Sequence, residues 1–117
     1  MPNLTDTAAR TALDAMGPLF AQLHTADPTD TGTVAPSVAF PTRKAANLAA
    51  AAGRSRTSSA DVAWTGAVSG ETVTHASLWS AATGGTCSWR GPLTAPATVA
   101  ASDGYTIPAG SLTVTLT

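Results

Sequence analysis

The amino-acid sequence predicts a mainly β protein, an antiparallel β-sandwich or barrel-like domain preceded by one short α-helix. Three observations lead there. About seven short stretches alternate large apolar with polar residues, the period-two pattern of strands whose successive side chains face opposite sides. Clusters of Gly, Pro, Ser, Asn and Asp separate them. Helical spacing is clear only at the N-terminus, where residues 1–17 form a predicted helical attachment arm ahead of one β domain at 18–117.

The helix is expected at about residues 5–16. Thr5 is its predicted N-cap, Asp6 sits in the first turn where a carboxylate favours the dipole, and Ala8, Ala9, Ala12, Leu13 and Met16 lie near one stripe. Gly17-Pro18 stops it. Leu19, Ala21 and Leu23 then alternate with Phe20, Gln22 and His24 as a strand, and Ala26 to Gly32 is a loop on residue type. Arg43 to Ala52 is helical by its alanines, yet the β context predicts a strand. Gly53 to Ser59 reads as a polar turn or hairpin tip, and Ala60 to Thr65 as a strand. Along Thr72 to Ser80, Val73, His75, Ser77 and Trp79 share one face. Thr83-Gly84-Gly85 marks a hairpin. Thr86 to Thr94 returns, with Gly91-Pro92 indicating a bulge or an edge, and Ala97 to Ala101 forms a further strand. Ser102-Asp103-Gly104 turns the chain toward a last alternation of Leu112, Val114 and Leu116.

Composition narrows the function. The 117 residues carry six basic and seven acidic side chains, a net charge of −1, and only 11% are charged. That is less than half the usual ~25%. It speaks against a nucleic-acid footprint and a polybasic membrane anchor. A lone cysteine excludes an internal disulfide framework and thiolate-rich zinc sites. No run approaches the ~20 apolar residues of a membrane span, and the first 25 residues lack a secretory pattern, so synthesis in a cytoplasm is expected. Alanine accounts for 25 positions, while Leu, Ile, Val and Phe number 19 together. The core is therefore thin, and small domains with thin cores are often completed by neighbours.

Three stretches carry a resemblance. They are Leu23-His24-Thr25-Ala26-Asp27-Pro28 with Thr31-Gly32, then Val73 to Gly85 (VTHASLWSAATGG), then Ile107 to Val114 (IPAGSLTV). In this order the chain resembles a family of small bacteriophage virion structural proteins, labelled tail-fibre or minor-tail proteins and similar to domains that decorate capsids. The resemblance implies a non-enzymatic external subunit of a phage particle, located in the virion. Its implied partners are major capsid or tail proteins and copies of itself, with no nucleic acid and no membrane. The family commonly carries a glycine-rich, aromatic-containing stretch after the position of Gly32, whereas Val34 to Pro41 here holds Pro36, Phe40 and Pro41.

His24 and His75 with Asp27 and Asp30 do not form a hydrolase pattern, since no G-x-S-x-G elbow is present. A metal site lacks a third ligand at suitable spacing. Asp27 and Asp30 suit an Asx-turn ahead of Pro28 better than a calcium loop. No catalytic residue, metal or cofactor is predicted. Trp64 and Trp79 are expected in the core, and Cys87 as a small buried thiol. The predicted partner contacts are Trp89, Arg90, Phe40, Arg43, Arg54 and Arg56, because Trp and Arg anchor interfaces. The Arg43-Lys44 and Arg54-Ser55-Arg56 clusters are expected to meet adjacent subunits. A carbohydrate-binding module that uses Trp89 is the rival reading.

Overall fold

The computed structural model describes residues 5–52 and 54–115. One helix, α1 (Asp6–Ala15), precedes eight strands: β1 (Phe20–His24), β2 (Lys44–Ala45), β3 (Ser55–Thr57), β4 (Val62–Trp64), β5 (Glu71–Trp79), β6 (Cys87–Val99), β7 (Tyr105–Ile107) and β8 (Thr113–Thr115). The fold is mainly β with antiparallel pairing throughout and a short N-terminal helix, as predicted. Thr5 caps α1 by accepting the Ala8 N–H at 3.1 Å. Ala9 and Leu13 are its buried residues, and Leu13 joins the core. No helix among the described residues is long and apolar enough to cross a membrane.

The second half of the chain is one long hairpin. Ser55 pairs with Thr115, Val62 with Ile107, Glu71 with Val99 and Leu78 with Trp89, so register is nearly conserved from base to tip. The tip lies at residues 80–86, where Gly84 and Gly85 take φ of 63° and 73°. A straight arm from residue 55 to 79 would span about 80 Å at ~3.3 Å per residue. The whole molecule is only 47 Å long, so the hairpin bends. It bends at two interruptions of the ladder. At the first, Ser58 Oγ accepts the Gly110 N–H at 3.0 Å and the Asp61 carboxylate accepts the Ala109 N–H at 2.9 Å. At the second, Ala67 donates to Asp103 O at 2.9 Å while Ser102 donates to Ala67 O at 2.7 Å. The ladder hydrogen bonds lost at the corners are thereby replaced.

Bending lays the β3–β8 and β4–β7 ribbons against a four-stranded sheet of order β2-β1-β5-β6. Apolar side chains from the two layers form one core. Ala21, Leu23, Val73, Ala76, Leu78 and Leu93 come from the sheet, and Val62, Trp64, Ile107 and Val114 from the ribbons. Trp64 is 1% exposed and donates its indole N–H to Thr42 O at 2.9 Å.

The structure corrects four expectations. The Arg43–Ala52 strand shrinks to Lys44–Ala45, because Asn47 turns the backbone to φ 55° and anchors itself to Asp61 O. The polar tip at 53–59 gives way after a turn at Ala52–Ser55 to a paired strand, β3. The two strands expected at Thr86–Thr94 and Ala97–Ala101 are one, β6, whose pairing jumps between Pro92 and Ala97. It is an edge strand, where Pro92 and Pro96 leave no central ladder bond unmade. Trp79 is buried as expected but lies outside the core cluster that holds Val73, and the register shift between Val73 and His75 marks where strict alternation ends. Leu116, the predicted last residue of the closing alternation, the start of the arm at residues 1–4 and Gly53 of the tip lie outside the described residues.

Arg56 ties the helix to the ribbon. It is 6% exposed, and its guanidinium donates to Ala49 O at 3.0 Å, Leu13 O at 3.1 Å and Gly17 O at 2.8 Å. α1 has no basic residue in its last turn, so Arg56 supplies a cation to that end from β3. Replacing Arg56 by Met removes these charge-assisted bonds and should cost about 2–4 kcal/mol. Urea denaturation of the variant checks this, and an unchanged midpoint would contradict the assigned role.

Candidate functional site

The face of the sheet turned away from the ribbons is covered at one end by the loop at residues 25–37. The loop returns along β1, with Thr25 N–H on Ala35 O at 3.0 Å and Ser37 N–H on Leu23 O at 2.9 Å. Its tip is an Asx-turn, as predicted: Asp27 Oδ1 accepts the Thr29 N–H at 3.0 Å. Arg90 on β6 clamps the tip, with Nη1 on Asp27 Oδ1 at 2.9 Å and Nη2 on Asp30 Oδ1 at 2.9 Å. The Thr29 amide first, and Arg90 after it, hold the Asp27 carboxyl below its ordinary range. The same two carboxylates raise the Arg90 guanidinium, Asp30 by its hydrogen bond foremost. Just beyond the loop's base, the Glu71 carboxylate accepts both the Ser37 hydroxyl and the Val38 N–H.

Beneath the loop lies a buried polar trio. His24 and Ser77 are both 0% exposed, and the His24 Nε2–Ser77 Oγ distance is 2.7 Å. Trp79 Nε1–H donates to the same oxygen at 2.7 Å. His24 Nδ1 meets Val34 O at 2.9 Å. A histidine on a serine hydroxyl is the arrangement of a base and its nucleophile. Here, however, Ser77 Oγ is sealed from solvent and already takes the indole N–H. The trio fastens the loop to the sheet. Burial lowers the His24 pKa from its ordinary 6.5. His75, directly across from His24 in the ladder, makes a local contact, its Nδ1 lying 2.8 Å from Thr74 Oγ1.

Gly32 lets the loop settle. It has φ +69°, and a Cβ there would lie 2.6 Å from Cys87 Sγ and 2.8 Å from Trp79 Cζ2. Burial beneath it raises the Cys87 pKa. Arg43 closes the other side of Trp79, its guanidinium carbon 3.9 Å from the ring centroid, and it donates to Ala81 O at 2.9 Å and Gly84 O at 2.7 Å.

The six residues singled out for partner contact are therefore dispersed. Arg90 and Arg43 hold the loop tip and the hairpin tip. Arg54, expected to reach a neighbouring subunit, pairs with Asp6 of its own chain at 3.0 Å. Phe40, at 2% exposure, and Arg56 face the interior. Trp89 is half-buried at the sheet edge. Its ring lies against Gly91 and lines a groove of about 650 Å³ with Tyr105, Pro92, Leu93, Ile107 and Leu112. Sequence reasoning missed the His24–Ser77–Trp79 trio. Alternation places Ser77 with Trp79 on one strand face, but only the pairing of Gln22 with Ser77 and His24 with His75 brings His24 alongside. Among the described residues no group of three or more His, Cys, Asp or Glu side chains is placed to hold a metal ion.

Fold and site define a small antiparallel β module whose ionic and polar side chains fasten its own loops. The chain belongs to the family described as podophage GP4 fiber I protein gp80, whose model matches residues 3–115. This is a phage tail-fibre-like structural family. No curated protein matches the chain.

Ser77→Ala deprives the Trp79 indole of its acceptor and His24 of its partner. Two buried polar groups left unsatisfied should cost about 2–4 kcal/mol. Urea denaturation at neutral pH measures the loss, and a cost under ~0.5 kcal/mol would show that the trio does not hold the loop.

Proposed function

We propose that the protein is an external structural subunit of a phage particle, a fibre component made in the host cytoplasm and built into the virion. It works through contacts with other virion proteins and with copies of itself. The observation that carries this reading is the family match across residues 3–115. The family's description favours a fibre over a capsid decoration.

The surface supports protein contacts. The large hydrophobics that stand exposed among the described residues are Val34 at 45%, Val38 at 64% and Val68 at 66%. Val34, Pro36 and Val38 are exposed while Ser37 and Ala39 between and after them are buried. Val68 N–H bonds Ala39 O at 3.1 Å, which sets Val68 beside that stretch. The Glu71 carboxylate beside Val38 is already held by Ser37 and the Val38 amide, so covering the valines need not strip it of its partners. Val34 to Pro41 is therefore the preferred attachment segment. The helical arm at residues 1–17 is the weaker candidate, because Ala9 and Leu13 are already buried in the chain's own fold.

The rival, carbohydrate recognition, draws on the groove beside Trp89 and Tyr105. The two readings separate experimentally. Val38→Asp with Val68→Asp alters exposed side chains, so stability should stay within about 0.5 kcal/mol. Incorporation into particles, followed by imaging labelled copies, should fall sharply. Wild-type incorporation would count against the valine surface. Glycan binding that disappears in Trp89→Ala would favour the rival.

A further inference from the structure

We propose that His24 is an acid-sensitive latch, holding the loop at residues 25–37 over the sheet and releasing the loop's base when the ring takes up a second proton.

The geometry fixes where each hydrogen sits. Val34 O can only accept, so His24 Nδ1 carries the hydrogen of that 2.9 Å bond. Nε2 is then a bare acceptor. Trp79 Nε1 can only donate, so Ser77 Oγ receives the indole hydrogen and gives its own to His24 Nε2. Each hydrogen has a place, but only with a neutral ring. A second proton at Nε2 would point at Ser77 Oγ, which would then face two donors and have to turn its own hydrogen elsewhere. Both residues are 0% exposed, so no water relieves the conflict.

The surroundings oppose a charge there. His75 stands directly across on β5, and Arg43 lies over Trp79 on the same face. Burial is the main obstacle to a positive ring, and His75 and Arg43 add to it, against the Val34 and Ala35 carbonyls, which favour the charge. The carboxylates on neighbouring elements are engaged elsewhere: Asp27 and Asp30 with Arg90 of β6, Glu71 with Ser37 and the Val38 amide. Cys87, also on this face, directs its thiol to Trp89 O.

The closed loop is held against its backbone preferences. Thr29 and Ala35 have φ of 63° and 51°, in the region that favours glycine, and Ala35 directly follows the carbonyl that His24 holds. The sign follows from the lowered pKa. Stability from the latch is complete above the ordinary 6.5 and is lost as pH falls below it toward the folded value. Asp27 remains ionised to lower pH, so Arg90 still tethers the tip when the base lets go.

The test is amide hydrogen exchange of the full chain across mildly acidic pH, corrected for intrinsic rates, with Thr25 and Ser37 as reporters of the loop's base. Wild type and His75→Asn should lose protection in one step, with the open fraction growing by up to about tenfold per pH unit between the two pKa values. His24→Asn can still donate to Val34 O but cannot become charged, so it should show no step. An identical step in His24→Asn, or protection retained in wild type through the His24 titration, would overturn the latch. Should His24→Asn not fold, nitrogen-15 shifts of the wild-type ring decide instead. The latch requires the Nδ1–H tautomer at neutral pH, and an Nε2–H tautomer refutes it.

Discussion

Everything else in this structure depends on the register of one antiparallel hairpin. Residues 55–79 run out and 87–115 run back, and the pairing scarcely drifts between the Ser55–Thr115 base and the Leu78–Trp89 end. Once that register is set, the positions of the two corners decide which apolar residues meet. Val62 and Ile107 on one ribbon, and Val114 on the other, share one core with Leu23, Ala76 and Leu78 because the hairpin folds back between them. A one-residue slip would exchange the buried and exposed faces of β4, where Val62 and Trp64 are inside and Ala63 is outside.

The thin core explains why so many polar side chains reach across the molecule. Leu, Ile, Val and Phe fill only 19 of 117 positions, too few for packing alone to hold every loop. Three arginines take over that task at separate places. Arg56 holds the C-terminal end of α1, Arg43 holds the hairpin tip, and Arg90 holds the loop over the outer face. Ser58 and Glu71 do the same at the corner and at the loop's base. Most of these bonds end on backbone carbonyls or amides. A sequence with few charges has thus placed several of them where a loop has no apolar side chain to anchor it.

The division between what could and could not be read in advance follows from the range of each interaction. Local signals were legible. Thr5 as a cap, Asp27 in its turn, Gly84-Gly85 at the hairpin tip and the alternation through Leu112 and Val114 each depend on residues a few positions apart. The β class and the family resemblance rest on such signals, and so does the edge position of Pro92. Nonlocal pairing was not legible. Nothing near Ser55 announces Thr115 as its partner, and nothing near His24 announces Ser77. Residue type alone makes the arginines interface candidates. Their use within the chain is visible only when carbonyls distant in sequence are brought to them.

The sheet edge adds a constraint on assembly. β6 has a partner on one side only, and an open strand edge invites another strand. Pro92 and Pro96 interrupt its row of donors, and the jump in pairing between Pro92 and Ala97 removes its flatness. Strand addition along this stretch is therefore discouraged, while the groove beside Trp89 stays open. On the proposed role, copies and neighbours would meet through side-chain surfaces such as Val34, Val38 and Val68 rather than by extending the sheet. Contacts of that kind leave the hairpin register untouched, so the element on which the fold depends is not the one that assembly has to alter.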